Sequence, residues 1–168
     1  MDPFYALCES IIFQQISGKA GDAILGKFLL LFRAKHPTPK TLLALPEDKL
    51  RAAGISPQKL SYLRDLAQKF EDNTINHKGL EEWNDDEVRE HLIAVKGIGK
   101  WTADMFLMMY LQRPDVLPTG DLGIQKGFQK LFNLRSLPSP EKMEKLAKPW
   151  QPYRTVACRY LWDMQDTV

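Results

Sequence analysis

The 168-residue chain carries a formal net charge of +2, with 44% hydrophobic and 26% charged residues, a length and balance suited to one domain spanning 1–168 with a sizeable core. No run approaches the roughly 20 apolar residues of a membrane span, and Met1-Asp2-Pro3 lacks the basic start of a secretory signal, so an intracellular protein without membrane contacts is expected. Cys8 and Cys158 stand alone without C-x-x-C spacing, which supports neither zinc nor an iron–sulfur cluster and reads as two buried thiols.

Asp2 before Pro3, followed by Phe4, Leu7, Ile11 and Ile12, predicts a capped helix ending near Ser17. A second helix is expected from Lys19 to about Lys35, with Ala23, Ile24, Phe28, Leu31 and Phe32 as its apolar stripe, stopped by His36-Pro37-Thr38-Pro39. Gly21 and Gly26 would permit close helix contacts within it. Short helices follow from Thr38 to Phe70, interrupted by Pro46 and by Ala53-Gly54-Ile55-Ser56-Pro57, a stretch that looks like a degenerate copy of a later Lys-Gly-Ile-Gly turn, although short helical turns often look alike. A loop spans Asn73–Gly79, and an acid-headed helix spans Asp85 to about Ile93, its carboxylates near the positive end of the dipole.

Val95-Lys96-Gly97-Ile98-Gly99-Lys100 then forms a two-glycine hairpin before a helix from Lys100 to about Gln112. Glycines allow a sharp turn and close backbone approach. Hairpin and first-turn amides, with the charges of Lys96 and Lys100, would suit a phosphate. Pro114 and Pro118 enforce an extended link to Pro118-Thr119-Gly120-Asp121. A helix from Asp121 is expected to turn Leu122, Ile124, Phe128 and Leu131 inward. Two more run from about Pro140 to Lys148 and from Pro152 to Met164. No stretch shows sustained period-2 alternation, so the fold class is all-α, a compact bundle of short helices containing a helix-hairpin-helix motif at about 85–112.

Read from residue types alone, Asp121 is a good N-cap, Asp115 is structural, Asp104 bonds locally or faces solvent, and Trp101 and Trp162 belong to the core. Four blocks carry a further signal: FQQISGKA (Phe13–Ala20), VKGIGKWTADMF (Val95–Phe106), RPDVLPTGDLGIQKG (Arg113–Gly127) and KPWQPYRTVACRYLW (Lys148–Trp162). In this order they resemble the helix-hairpin-helix DNA glycosylases with a Gly/Pro loop, closest to the AlkA-type and yeast-type 3-methyladenine DNA glycosylases.

The resemblance implies a monofunctional enzyme that excises N-alkylated purines such as 3-methyladenine and 7-methylguanine from double-stranded DNA. It makes Asp121, after the loop 113–121, the catalytic carboxylate. It assigns Trp101, Met105, Leu122 and Trp162 to the base pocket, although the AlkA pattern has an aromatic residue where Leu122 stands. It assigns Gln15 as the wedge that fills the gap of a flipped nucleotide. Ser17, Lys96, Gly97, Gly99, Lys100 and Thr102 become DNA contacts. By resemblance only, backbone carbonyls of Ile93, Val95 and Ile98 hold a Na⁺ or K⁺ ion, with no cofactor required for chemistry. Relative to AlkA, an upstream β-rich domain is not present in the sequence. In bifunctional relatives a nucleophilic lysine follows the hairpin; Trp101 takes that place here, with Lys100 one position off. The alternatives are a non-catalytic helix-hairpin-helix DNA-binding module and a bifunctional glycosylase/lyase for oxidised bases. A monomer is expected, in the cytoplasm or nucleoid, or in a nucleus if the source is eukaryotic.

Overall fold

Asp2, Thr38, Ser56, Asn84, Asp121 and Ser139 each stand one residue ahead of a helix, and each side chain accepts a first-turn amide. Such caps satisfy donors that the helix itself cannot pair, and so place the helix starts. In the computed structural model, which describes residues 2–16, 18–75 and 79–166 and the side chains to residue 164, no strand occurs among the described residues. The helices are α1 (Pro3–Phe13), α2 (Gly18–Leu29), α3 (Pro39–Ala44), α4 (Glu47–Ala52), α5 (Pro57–Glu71), α6 (Asp85–Ile93), α7 (Lys100–Met105), α8 (Leu122–Leu131), α9 (Pro140–Ala147) and α10 (Arg154–Asp166). The chain forms two compact units, residues 1–106 and 107–168.

In the first unit α5 is the central helix, packed by α1, α3 and α4. Leu7, Ile11, Ile12, Phe28, Leu42, Leu50, Leu63 and Leu66 are fully or almost fully buried. Arg64 of α5 donates to the carbonyls of Leu42 and Leu43 at 2.8 and 2.5 Å and to that of Leu45. It thereby caps the C-terminal end of α3 with a cation, where the helix dipole favours one. Gly21 packs under the ring of Phe13, where a Cβ would lie 2.5 Å from ring carbons. No atom stands near the Gly26 position, so that glycine makes no such contact.

In the second unit α8 packs on α10. Ile124, Phe128, Met143, Ala147, Cys158 and Leu161 are buried, and Phe128, Phe132 and Trp150 form a ring cluster with centroids 5.1–6.0 Å apart.

Several boundaries differ from the sequence expectation. The first helix ends at Phe13, because Gln14 is extended and Gln15 adopts φ 57°. The second ends at Leu29; a 3-10 turn over Arg33–Lys35 contains left-handed Ala34 and replaces its last turns. Its buried positions are Gly21, Leu25 and Phe28, with Ala23 exposed. After Met105 the helix widens into a π-turn over Phe106–Tyr110 instead of running on to Gln112, which has φ 53°. Asp121 precedes α8 as its cap, and Leu122 and Leu131 are 54% and 48% exposed, against the inward orientation expected. The last helix starts at Arg154 rather than Pro152, since Tyr153 closes a turn onto Trp150.

Candidate active site

The hairpin of the first unit is held by its neighbours. Arg89 of α6 sends Nε to Asp104 of α7 at 2.7 Å and Nη1 to Asp86 at 2.8 Å, tying the two hairpin helices together. Asp104 is 1% exposed. Burial pushes its carboxyl up and Arg89 opposes this, so the local or solvent-facing role expected for Asp104 is replaced by a buried ion pair. At the turn, Gly97 has φ 79°, and a Cβ there would stand 2.1 Å from the Tyr62 ring. Both facts require glycine. The Lys96 amide donates to Asp65 at 2.8 Å, and Lys69 reaches the same oxygen at 2.6 Å. Burial raises the Asp65 carboxyl, but Lys69 and the Lys96 amide outweigh it and hold the group below its ordinary range. The Lys96 N–H is therefore committed to Asp65 and is not among the amides left for a phosphate.

The turn at Gly54, whose sequence looks like that of the hairpin, shares its local geometry. Gly54 and Gly97 both have positive φ, Ile55 and Ile98 are both buried, and a helix starts two residues after each isoleucine. The copies differ at the cap. Ser56 accepts the Lys59 amide, whereas Gly99 gives α7 no side-chain cap, and a Cβ on Gly99 would meet no atom within 4 Å. One turn closes on itself, and the other presents a bare helix start flanked by exposed Lys96 and Lys100.

Beside it, Gln15 is exposed in its left-handed conformation. A concavity of about 310 Å³ lies between Gln14–Gln15, Gln58 and Tyr62 of α5, and Gly97 and Trp101. Trp101 is 44% exposed, not core, and Met105 is partly buried. Thr102 is 3% exposed with its hydroxyl toward Gln14, 3.4 Å away. The Thr102 side chain is thus turned inward. Ser17 lies outside the described residues.

In the second unit the loop before Asp121 is fastened by the first turn of α10. Arg154 Nε and Nη2 grip the Asp115 carboxylate at 2.7 and 3.0 Å, and its Nη1 reaches Glu144 at 2.8 Å. Burial raises the Asp115 carboxyl, and Arg154 overrides this and holds it below the usual range. Thr155 donates its hydroxyl to the Arg113 carbonyl at 2.7 Å and accepts the Val116 amide at 3.0 Å, while its own amide donates to the Pro114 carbonyl at 2.9 Å. Val116 to Thr119 are buried, so the loop is a packed element rather than a free tether.

At its end, Asp121 Oδ1 accepts the Ile124 amide at 2.8 Å and the indole N–H of Trp162 at 2.9 Å. The cap and the indole together fix the carboxylate's orientation. Gly123 leaves room for that contact, and Gly127, one turn on, lets Leu161 pack closely: a Cβ would lie 3.0 Å from Trp162 Cδ1 at the first and 2.8 Å from Leu161 Cβ at the second.

Residues 8–152 match the HhH-GPD superfamily base excision DNA repair protein model. The chain belongs to this superfamily. It is 32% identical over 163 residues to DNA-3-methyladenine glycosylase 1 of Schizosaccharomyces pombe, covering 96% of this chain and 72% of that protein. Among solved structures, a DNA-3-methyladenine glycosidase from Bacillus halodurans superposes with a TM-score of 0.90 at 38% identity, covering 99% of this chain and 77% of the other. The S. pombe 3-methyladenine DNA glycosylase in complex with abasic DNA superposes with a TM-score of 0.89 at 31% identity, covering 99% and 82%.

Within this superfamily member, Gln15, Lys96, Gly97, Gly99, Lys100, Trp101 and Met105 lie in the first unit, and Asp121, Leu122 and Trp162 in the second. Sequence reasoning missed Gln14, Tyr62, Asp65, Gly123, Gly127, Arg154 and Thr155. The Gly123/Gly127 pair at i, i+4 was a readable sign of close helix packing. The partners of Asp115 and of the Lys96 amide are 31–39 residues away in sequence, and no local pattern announces them.

Proposed function

We propose that the chain is a monofunctional DNA glycosylase that flips and hydrolytically excises N-alkylated purines, such as 3-methyladenine and 7-methylguanine, from double-stranded DNA and leaves an abasic site. The observation that carries this reading is the Asp121 carboxylate, oriented by Ile124 N–H and Trp162 Nε1–H at the end of a fastened loop. Loss of the base builds positive charge on the deoxyribose, which a fixed carboxylate stabilises while it orients or deprotonates the attacking water. A cationic alkylated purine leaves without a general acid, so one carboxylate suffices. Trp101 supplies no amine for Schiff-base chemistry, which supports hydrolysis over lyase action.

Trp101, Met105, Leu122 and Trp162 are each assigned a contact with the displaced base. The aromatic faces favour a cationic ring by about 0.5–2 kcal/mol. Gln15 fills the vacated stack, and Gly99, Lys96 and Lys100 take the backbone phosphate. By the family resemblance, the carbonyls of Ile93, Val95 and Ile98 are assigned to a Na⁺ or K⁺ ion: Ile93 ends α6, where the dipole favours a cation, and the Val95 oxygen keeps a lone pair beside its bond from Ile98 N–H. Such an ion would add positive charge at the phosphate grip and takes no part in bond breaking. No other cofactor is assigned. The family match crosses both compact units, which supports their working as one glycosylase domain, and we assign the protein to a monomeric, intracellular role.

The test is release of bases from methylated duplex DNA by the wild type and by Asp121→Asn, which keeps the shape and capping capacity but removes the charge. Release should fall by at least about a hundredfold, in line with loss of an electrostatic stabiliser, with duplex binding retained. Near-normal release by the variant would move the chemistry elsewhere, and a wild type that binds but releases nothing would leave a DNA-binding module.

A further inference from the structure

Three side chains brace the hairpin from behind: Tyr62 lies against Gly97, Asp65 accepts the Lys96 amide, and Gln14 donates its Nε2 to the Gly97 carbonyl at 2.8 Å. The first two come from α5 and are fixed by it. Gln14 is different, because it is the residue immediately before Gln15. Its Nε2 also faces Thr102 Oγ1 at 3.4 Å, on the first turn of α7.

Gln14 therefore touches both sides of the bare helix start, from the turn that carries Gln15. That turn is under constraint. Gln15 sits at φ 57°, a left-handed conformation that a non-glycine residue keeps only where its surroundings impose it. On the other side of the turn, Lys59 donates to the Ile12 carbonyl at 2.7 Å and fastens the end of α1. The Gln14 amide fastens the turn itself, and does so onto the hairpin.

We propose that Gln14 is a positioning residue that couples the hairpin's hold on the DNA backbone to the insertion of Gln15. This rests on the glycosylase reading and gives that site a device for coupling grip to base displacement. With the amide in place, seating the hairpin on a phosphate sets the position and the strained conformation of Gln15 at once. Without it, the hairpin still grips, but Gln15 relaxes toward ordinary backbone angles and no longer arrives in register with the nucleotide to be displaced.

The loss should then appear only when displacement is costly. Rotating a paired base out of the duplex costs unpairing and unstacking energy, and a base with no partner opposite it costs less. The experiment measures single-turnover release of 7-methylguanine placed opposite cytosine and, separately, opposite an abasic site, by the wild type, Gln14→Leu and Gln14→Glu. Gln14→Glu keeps the length but replaces the donor with an acceptor facing the Gly97 carbonyl, and it serves should Gln14→Leu fail to fold.

Release opposite cytosine should slow by roughly tenfold or more, and release opposite the abasic site by less than about threefold. Affinity for undamaged duplex and its salt dependence should not change, because the phosphate contacts remain. Equal slowing on both duplexes would mean general damage to the site and would overturn the proposal, as would normal rates on both. A wild type that releases no base from either duplex would remove the glycosylase reading and this inference with it, whereas an active wild type with an indifferent Gln14→Leu removes the inference alone.

Discussion

Replacing Gly123 with alanine tests whether the indole of Trp162 matters to the Asp121 carboxylate. The new Cβ would stand 3.0 Å from Trp162 Cδ1, 3.1 Å from Asp121 Oδ1 and 3.2 Å from Trp162 Nε1. Carbon contacts settle near 3.5–4.0 Å, so the indole must retreat by several tenths of an ångström. That stretches the present 2.9 Å bond beyond the ordinary hydrogen-bond range. Alanine in place of glycine adds up to about 1 kcal/mol of helix propensity. Overpacking costs about 1–3 kcal/mol when nothing yields, and less here because a partly exposed side chain can swing. Net stability should stay within about 1 kcal/mol, a change in melting temperature of about 2–4 °C.

The bond to the carboxylate is worth about 1.5–3 kcal/mol; since Trp162 is only partly buried, the lower end applies, and single-turnover release of 7-methylguanine should slow by roughly tenfold. Gly127→Ala is the control. Its Cβ would meet Leu161 Cβ at 2.8 Å and the Leu161 carbonyl oxygen at 3.1 Å, and backbone cannot swing away. Stability should drop by about 2 kcal/mol, lowering the melting temperature by about 4–8 °C. Calorimetric melting and single-turnover release, measured on both variants, give the comparison. Full activity in Gly123→Ala, with the fold intact, would refute the positioning role of the Trp162–Asp121 bond.

The two hairpin glycines should respond oppositely. Gly97→Ala meets both a left-handed φ and the Tyr62 ring and should cost about 3 kcal/mol or more, read as a large fall in melting temperature. Gly99→Val has open space and should leave melting almost unchanged while weakening every duplex alike and flattening the salt dependence of binding; selective loss of damaged-duplex binding would contradict the phosphate role. The Asp115–Arg154 clamp gives a pH signature. Because the folded carboxyl titrates below its unfolded value of about 3.9, its stabilisation is complete above that value and is lost as pH falls through the folded pKa. Asp115→Asn should lower the melting temperature at neutral pH and make the acid limb shallower, and an unchanged acid limb would show that the clamp contributes nothing. Borohydride added during turnover should trap no covalent DNA adduct, and a cross-link through Lys100 would overturn hydrolysis as the reaction.

Local chemistry alone determined much of this protein. Side-chain caps at Asp2, Ser56 and Ser139 with a proline behind each, the Asn84 cap before an acidic first turn, and the apolar spacing along α1 place helices in the sequence, because these signals act within one turn. The start of α7 after Gly99 and the turn at Gly97 were legible for the same reason. Tertiary structure decided where helices stop and what the polar groups do. The path bends at Gln15 and Gln112 through left-handed residues that carry no glycine signal. The π-turn after Met105 has no local signature either. Leu122 and Leu131 are apolar yet about half exposed, because which positions of α8 are covered is set by α10, which seats against Gly123 and Gly127. The Thr102 side chain is buried against Gln14, 88 residues away in sequence. Burial and hydrogen bonding depend on groups that the chain brings together only after folding, and periodicity does not encode them.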